Sequence, residues 1–547
     1  MGKHKAKLAR PMSVETPSES VKLLAERAAA RPNWARGQFS LGCAYEQLGE
    51  LTPARTHLAN ALRLDPSLEA TVHSLFGRMY VREGKWISAI AAVDLALEAD
   101  PANYIAHVVR SRSCAALARI EEAVESSRRS IEIAPNKEFH SGLLTEMNYL
   151  ADVTPEALYA EACRWNAMYA APLAPRIRPH ANAPDPDRRL KVGYVSPELC
   201  HHAMMKFLPP VFEHHDRSHF EVFAYSTGVK SDEWTETLRS SADSFASMRD
   251  PELLAERVRA DEIDILIDLA GHTMGQAYLA FALKPAPVQA AWLGALSTTG
   301  LSTMDYFLGD AHMPCPGTEA AFSETVYRLP VLCSYRPFAD VPVAPPPCLE
   351  NRYITFGSFN SPRKITREVA KLWSAILHLA PGSRLLLKYG GLDTEAMQER
   401  FYAWFMEDGI PPERLRFEGA VPAREFLEAF RNIDIALDPF PYNGGSTTLD
   451  TLWMGVPVVT LAGRLAVQCT GTSVLTAIGL PDLVAKTPEQ YLKVALHLAV
   501  MVANMPNLRQ DVRQSMLSSP IMDEIGQVRH LENAYRDMWR KWCLTRS

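Results

Sequence analysis

Residues Asn443-Gly-Gly-Ser-Thr-Thr-Leu-Asp450 place two glycines, three hydroxyls and a carboxylate in one short stretch. Gly444 and Gly445 let a backbone approach a ligand closely, and Ser446, Thr447 and Thr448 carry hydroxyls beside the unpaired N–H groups of a starting helix. A helix N-terminus of this kind suits a phosphate, because its amides and its dipole both favour negative charge. The same residues also fit a plainer reading, in which Ser446 caps an ordinary helix after a proline-rich turn. Elsewhere, Lys364 follows the apolar segment Phe356–Asn360, and His202 follows another such segment with an imidazole whose ordinary pKa lies near neutrality. The Asp-x-Asp at Asp185-Pro-Asp187 lies in a proline-rich stretch far from any strand end, so a dedicated metal site is not expected. Nine cysteines without a CxxC pair fit reduced, mostly buried thiols better than a disulfide framework or a zinc site.

The elements that must position these residues follow from periodicity. Ile433–Leu437 reads as a strand leading into the loop, and Leu449, Leu452, Trp453 and Met454 fall at helical spacing behind it. Short β-rich runs at Leu190–Ser196, Phe220–Ser226, Ile263–Ala270, Val288–Leu293 and Tyr306–Leu308 alternate with helical segments. A second series follows at Tyr353–Phe359, Ser383–Tyr389, Leu415–Phe417, Ile433–Leu437 and Val456–Leu461. This alternation predicts two doubly wound α/β lobes joined near Val341–Pro347, with ligands bound outside the carboxyl ends of the strands. Ile525–Cys543 reads as an amphipathic terminal helix, either an ordinary core helix or one that returns to the first lobe.

Ahead of the lobes, Pro32, Pro66, Pro101 and Pro135 recur at intervals of 34, 35 and 34 residues. Tyr45 and Tyr80, Gly49 and Gly84, and Ala54, Ala89 and Ala123 keep the same step, the period of tetratricopeptide helix pairs, with Val21–Ala30 as the remnant of an earlier repeat. Such an array forms an α-helical superhelix whose concave face commonly binds peptide, although it can also merely cap or dimerise a protein. The expected divisions are residues 18–136 for the repeats, 137–187 for a helical and proline-rich connector, 188–345 for the first lobe and 346–547 for the second. A net charge of −6 and 47% hydrophobic residues indicate a globular protein and argue against a general nucleic-acid or anionic-membrane binder. The basic start Lys3–Arg10 lacks the apolar run of a secretory signal, so a cytoplasmic location is expected.

Taken in order, Lys191-Val-Gly-Tyr-Val-Ser, Asp268-Leu-Ala-Gly-His-Thr, Lys284-Pro-Ala-Pro-Val-Gln with Trp292-Leu-Gly, Met304-Asp-Tyr, Phe356-Gly-Ser-Phe-Asn and Asp438 to Val459 resemble the protein O-GlcNAc transferase family over almost the whole chain. Gly193-Tyr-Val-Ser-Pro-Glu-Leu is especially similar to the Spindly-type O-fucosyltransferases on the same framework. The resemblance implies tetratricopeptide repeats followed by a two-lobed GT-B glycosyltransferase that is inverting and metal-independent. Its donor would be a nucleotide sugar, UDP-GlcNAc before GDP-fucose, and its acceptor a Ser or Thr hydroxyl of a protein bound with help from the repeats. It also implies roles: His202 near the reacting centre, Lys364 on the diphosphate, and Asp450 on the ribose hydroxyls. Asn360 and the Gly444–Thr448 loop would bind the donor, and Leu293 and Gly294 would line the sugar pocket. His272 and Asp264 are secondary candidates, the latter as readily structural. Gly445 stands where human-type enzymes carry a histidine. Ala203-Met204-Met205, Gly294–Thr298 and Cys469 also depart from the family pattern. These departures leave open another donor or acceptor, or a repeat-based interaction scaffold with a degenerate transferase domain.

Overall fold

This computed structural model of the protein describes residues 17–295 and 297–546, so the basic segment Lys3–Arg10 lies outside the described residues. The chain divides into two compact units, one running to Ala116 and including Glu125–Pro135, the other made of Leu117–Val124 and Asn136 onward.

In the first unit, antiparallel helices follow one another at Pro17–Ala30, Ala35–Leu48, Leu51–Leu64, Glu69–Arg82, Trp86–Ala99 and Tyr104–Ala116. The repeating residues explain the turns. Gly49 and Gly84 adopt φ of 83° and 70°, a left-handed conformation that ends a helix without a Cβ penalty. Asp65 accepts a bond from the Ser67 amide as the proline-initiated turn begins. Ala54 and Ala89 are fully buried, where small side chains let neighbouring helices approach.

The second unit holds two parallel sheets. The first contains β1 (Leu190–Ser196), β2 (Phe220–Ser226), β3 (Ser244–Ser247), β4 (Ile265–Asp268), β5 (Val288–Ala291), β6 (Tyr306–Gly309) and β7 (Thr325–Arg328), in the order β3-β2-β1-β4-β5-β6-β7. The second contains β8 (Thr355–Ser358), β9 (Arg384–Lys388), β10 (Leu415–Glu418), β11 (Ile435–Leu437), β12 (Val458–Leu461) and β13 (Val484–Ala485), in the order β10-β9-β8-β11-β12-β13. Strand order reverses between β1 and β4 in one lobe and between β8 and β11 in the other. Doubly wound sheets open a crevice at such switch points. His202 follows β1, Lys364 follows β8, and the Gly444–Asp450 loop follows β11, so both crevices carry candidate residues.

One hydrophobic core runs through both lobes, from Tyr194 and Phe212 to Leu449 and Leu452, and includes the face of the terminal helix Glu524–Leu544. That helix returns to the first lobe: the Tyr535 and Tyr194 hydroxyls lie 3.1 Å apart, and Glu532 meets His215 at 3.1 Å. The Asp-x-Asp segment serves this docking, since the Asp185 carbonyl accepts from Trp539 Nε1 at 2.8 Å and the Asp187 carboxylate pairs with Arg540 at 2.9 Å.

The expectation of uniformly reduced thiols is corrected at one pair. Cys315, after β6, is bonded to Cys469, at the start of the helix Thr470–Ala477, with Cα atoms 5.7 Å apart. The bond ties the first lobe to the second across 154 residues of sequence, a separation that no local spacing rule detects.

Candidate active site

The loop after β11 is built around a buried carboxylate. Asp438 accepts from the Gly444 amide at 2.6 Å and from Thr460 Oγ1 at 2.7 Å, which folds the chain back over the strand end. A Cβ at Gly444 would come within 2.3 Å of Thr448 Oγ1, so this position excludes any side chain. Gly445 differs, since the nearest atom to a Cβ there is 3.8 Å away. The helix runs Ser446–Trp453 with Gly445 as its N-cap and no side-chain capping bond, which sets aside the reading of Ser446 as a cap. The first-turn amides therefore have no side-chain acceptor at the cap, as an anion site requires. Ser446 and Thr447 are partly exposed beside them, whereas Thr448 is buried toward Gly444.

Lys364 ends the short turn Pro362–Lys364 and donates from Nζ to the Asn443 carbonyl at 2.7 Å. The ammonium sits 4.0 Å from the centroid of the Tyr442 ring, which is stacked on Tyr149 at 4.8 Å. Burial pulls the lysine below its usual pKa, with Asp438 opposing, and burial pushes Asp438 up. Nearby, Asn360 Oδ1 and Asn443 Oδ1 are buried and find no hydrogen-bond partner among the described residues. Orphaned acceptors cost about 1–3 kcal/mol each, and a ligand carrying donors would satisfy them.

Asp450 lies in the same helix with both carboxylate oxygens engaged. Lys206 forms an ion pair with Oδ2, and the Tyr335 hydroxyl donates to Oδ1 at 2.6 Å. Lys206 comes from the turn Ala203–Lys206, whose N-cap is His202, so the segment that starts at the candidate base ends on the candidate ribose carboxylate. His202 Nδ1 accepts from the Met204 amide at 3.4 Å, and Glu198 Oε2 lies 3.1 Å from the same nitrogen. Burial, then the neighbouring His201 and Lys230, lowers the His202 pKa. His201 is separated from it, with its amide donating to Asp232 at 2.7 Å and its ring stacked on Phe338. The departure at Met204 and Met205 feeds the core, where both are buried.

Leu293 takes a left-handed φ of 57° immediately after β5, and a Cβ on Gly294 would lie 1.9 Å from the Leu269 carbonyl oxygen. These residues press the loop after β5 against the one after β4. His272, in the latter loop, is buried, held by Ser141 Oγ at 3.1 Å and the Thr299 carbonyl at 2.9 Å, and pushed down to about 3 by burial. A shallow cavity beside it is lined by Thr145, Asn148, His272, Thr273, Gly294 and Ser297. Asp264 stands at the amino end of β4, the wrong end for a ligand, and accepts from the Lys191 amide and Asn182 as a structural carboxylate. Among the described residues no cluster of three or more His, Cys, Asp or Glu side chains is arranged to hold a metal ion, and no helix is long and apolar enough to cross a membrane. Sequence reasoning missed Lys206, Tyr335 and Glu198; only Glu198 carried a signal, four residues before His202 in a motif already noted.

The profile of Glycosyl transferase family 41 matches residues 174–331 and 347–530, and a tetratricopeptide-repeat profile matches residues 35–68. A tomato (Solanum lycopersicum) protein named as a probable UDP-N-acetylglucosamine–peptide N-acetylglucosaminyltransferase SPINDLY is 35% identical over 410 residues, covering 73% of this chain and 44% of its own length. A Caenorhabditis elegans UDP-N-acetylglucosamine–peptide N-acetylglucosaminyltransferase is 24% identical over 533 residues, covering 75% of this chain and 46% of the relative. The chain thus spans less than half the length of these relatives. A solved O-GlcNAc transferase variant of Thermobaculum terrenum is 32% identical and superposes with a TM-score of 0.84 over 98% of this chain and 100% of the other.

Proposed function

Because the chain belongs to glycosyl transferase family 41, we propose that it transfers a sugar from a nucleotide donor, UDP-GlcNAc in the first instance, to Ser or Thr hydroxyls of a protein acceptor, with inversion and without a metal. The observation that carries this reading is the uncapped helix start at Ser446 with Lys364 beside it on the Asn443 carbonyl. A fixed set of amides and one ammonium at a strand-end crevice can hold a diphosphate and take up the charge that develops as it leaves. The other residues fill complementary roles. Asp450 accepts the ribose hydroxyls, and the orphaned Asn360 and Asn443 oxygens accept donors from the nucleotide sugar. His202 is the candidate to take the acceptor proton, with the Glu198 carboxylate beside its ring. Leu293 and Gly294 border the sugar. The repeats supply a protein-binding surface for the acceptor.

The relatives named as N-acetylglucosaminyltransferases support the choice of sugar. Isothermal titration with UDP and GDP tests the donor class, and mass spectrometry of a Ser/Thr peptide library incubated with UDP-GlcNAc tests the reaction. UDP binding with a peptide mass gain of one N-acetylhexosamine is the expected result. Preference for GDP would move the donor to a GDP-sugar such as GDP-fucose, and binding of neither nucleotide would make the protein a scaffold.

A further inference from the structure

Lys206 is 6% exposed, Tyr335 0% and Asp450 2%, so three polar side chains meet in the interior between the lobes. A buried ammonium is costly to desolvate, and an ion pair kept only for stability is often replaceable by apolar side chains without loss. The surrounding structure nevertheless fixes this one from several sides. The Lys206 carbonyl accepts from the Arg336 amide at 2.8 Å, the Phe338 ring lies 4.9 Å from Nζ, and the Tyr335 amide is tied to the Ile521 carbonyl at 2.9 Å. Arg336 does not compete for Asp450, since its guanidinium is taken by Glu213 and Glu524. Asp450 receives one donor on each oxygen, and each carboxylate oxygen can accept two. Two acceptor positions therefore remain, matching a vicinal pair of hydroxyls.

We infer that Lys206 and Tyr335 are positioning residues that fix the Asp450 carboxylate as an acceptor for the ribose hydroxyls of the donor nucleotide. The inference rests on the reading of Asp450 given above and adds a selectivity to it: the first lobe, through Lys206, enforces ribose over deoxyribose at a carboxylate of the second. A lysine that served only to join the lobes would affect stability and all nucleotides alike.

The test uses the full-length chain and titration calorimetry with UDP and 2′-deoxy-UDP, and with GDP and 2′-deoxy-GDP in parallel. Wild-type protein is expected to prefer the ribonucleotide by about 10- to 100-fold, the range for a hydrogen bond to a charged group. Lys206→Met and Tyr335→Phe should cut that preference to about threefold or less, Lys206→Arg should restore part of it, and Asp450→Asn should abolish it. Should Lys206→Met fail to fold, Tyr335→Phe, which removes a single hydroxyl, decides the matter. Full ribose preference in both variants, together with its loss in Asp450→Asn, would overturn the inference and leave the Asp450 reading intact. A wild type without ribose preference would instead overturn the Asp450 reading, and the inference with it.

Discussion

Replacing Lys364 by methionine keeps most of the side-chain stem against Tyr442 and removes only the ammonium. Its Nζ lies 2.7 Å from the Asn443 carbonyl oxygen, at the mouth of the loop that leads to the helix start. A phosphate oxygen bound there would sit at about 4 Å from the charge, where an effective dielectric near 20 gives about 4 kcal/mol. That energy corresponds to nearly three decades in rate if it is realised only as the diphosphate departs. Part of it already acts on the bound donor, so kcat should fall about 10²- to 10³-fold while the donor KM rises by about tenfold or less. Stability should change little, because the variant forfeits one hydrogen bond worth about 1 kcal/mol and is relieved of a desolvated charge. Steady-state assays of nucleotide release at varied donor concentration, alongside a melting curve, read all three quantities. A kcat within about fivefold of wild type in a normally folded variant would refute the assignment of Lys364 to the leaving group.

Two further outcomes are expected. Because burial lowers the His202 pKa, the ring is neutral and able to accept a proton at pH 7; kcat/KM should be flat there and fall about tenfold per pH unit on an acid limb centred below pH 6.5, a limb absent from the residual activity of His202→Ala. An acid limb unchanged in that variant would remove His202 as the base. Peptide mapping without reductant should find Cys315 linked to Cys469, and reduction should lower the melting temperature, since closing a loop of this length contributes about 5 kcal/mol in the chain-entropy account. Both cysteines open to alkylation before reduction would contradict the bond.

The strands that sequence patterning failed to register are β3, β7 and β13, and all three are sheet edges. Interior parallel strands are covered on both faces and read as apolar runs, whereas Ser244–Ser247 and Thr325–Arg328 are largely half-exposed and mix polar residues. The loop from Gly444 to Asp450 was legible as a candidate anion site because its chemistry is local: glycines, hydroxyls and a helix start within a few residues. Lys206 was not, because a lysine in a loop is ordinarily solvated and its partner lies 244 residues further on. The same distance effect hid Tyr335, and it turned the forecast of reduced cysteines wrong at Cys315 and Cys469. Even within the loop, residue type alone could not decide whether Ser446 capped the helix or began it, since that depended on the backbone conformation of Gly445.

The Cys315–Cys469 bond also changes the molecule's connectivity. Everything between the two residues, including β7 to β12, Lys364 and the loop from Gly444 to Asp450, lies on a covalently closed ring of chain. His202 and Lys206 lie on the tail that enters the ring, and the terminal helix lies on the tail that leaves it. A protease that cut once inside the ring, for instance between the lobes at residues 341–347, would leave a single covalent molecule until the bond was reduced. Lys364 and the loop from Gly444 to Asp450 thus lie on a loop in the topological sense, and His202 and Lys206 reach it from outside.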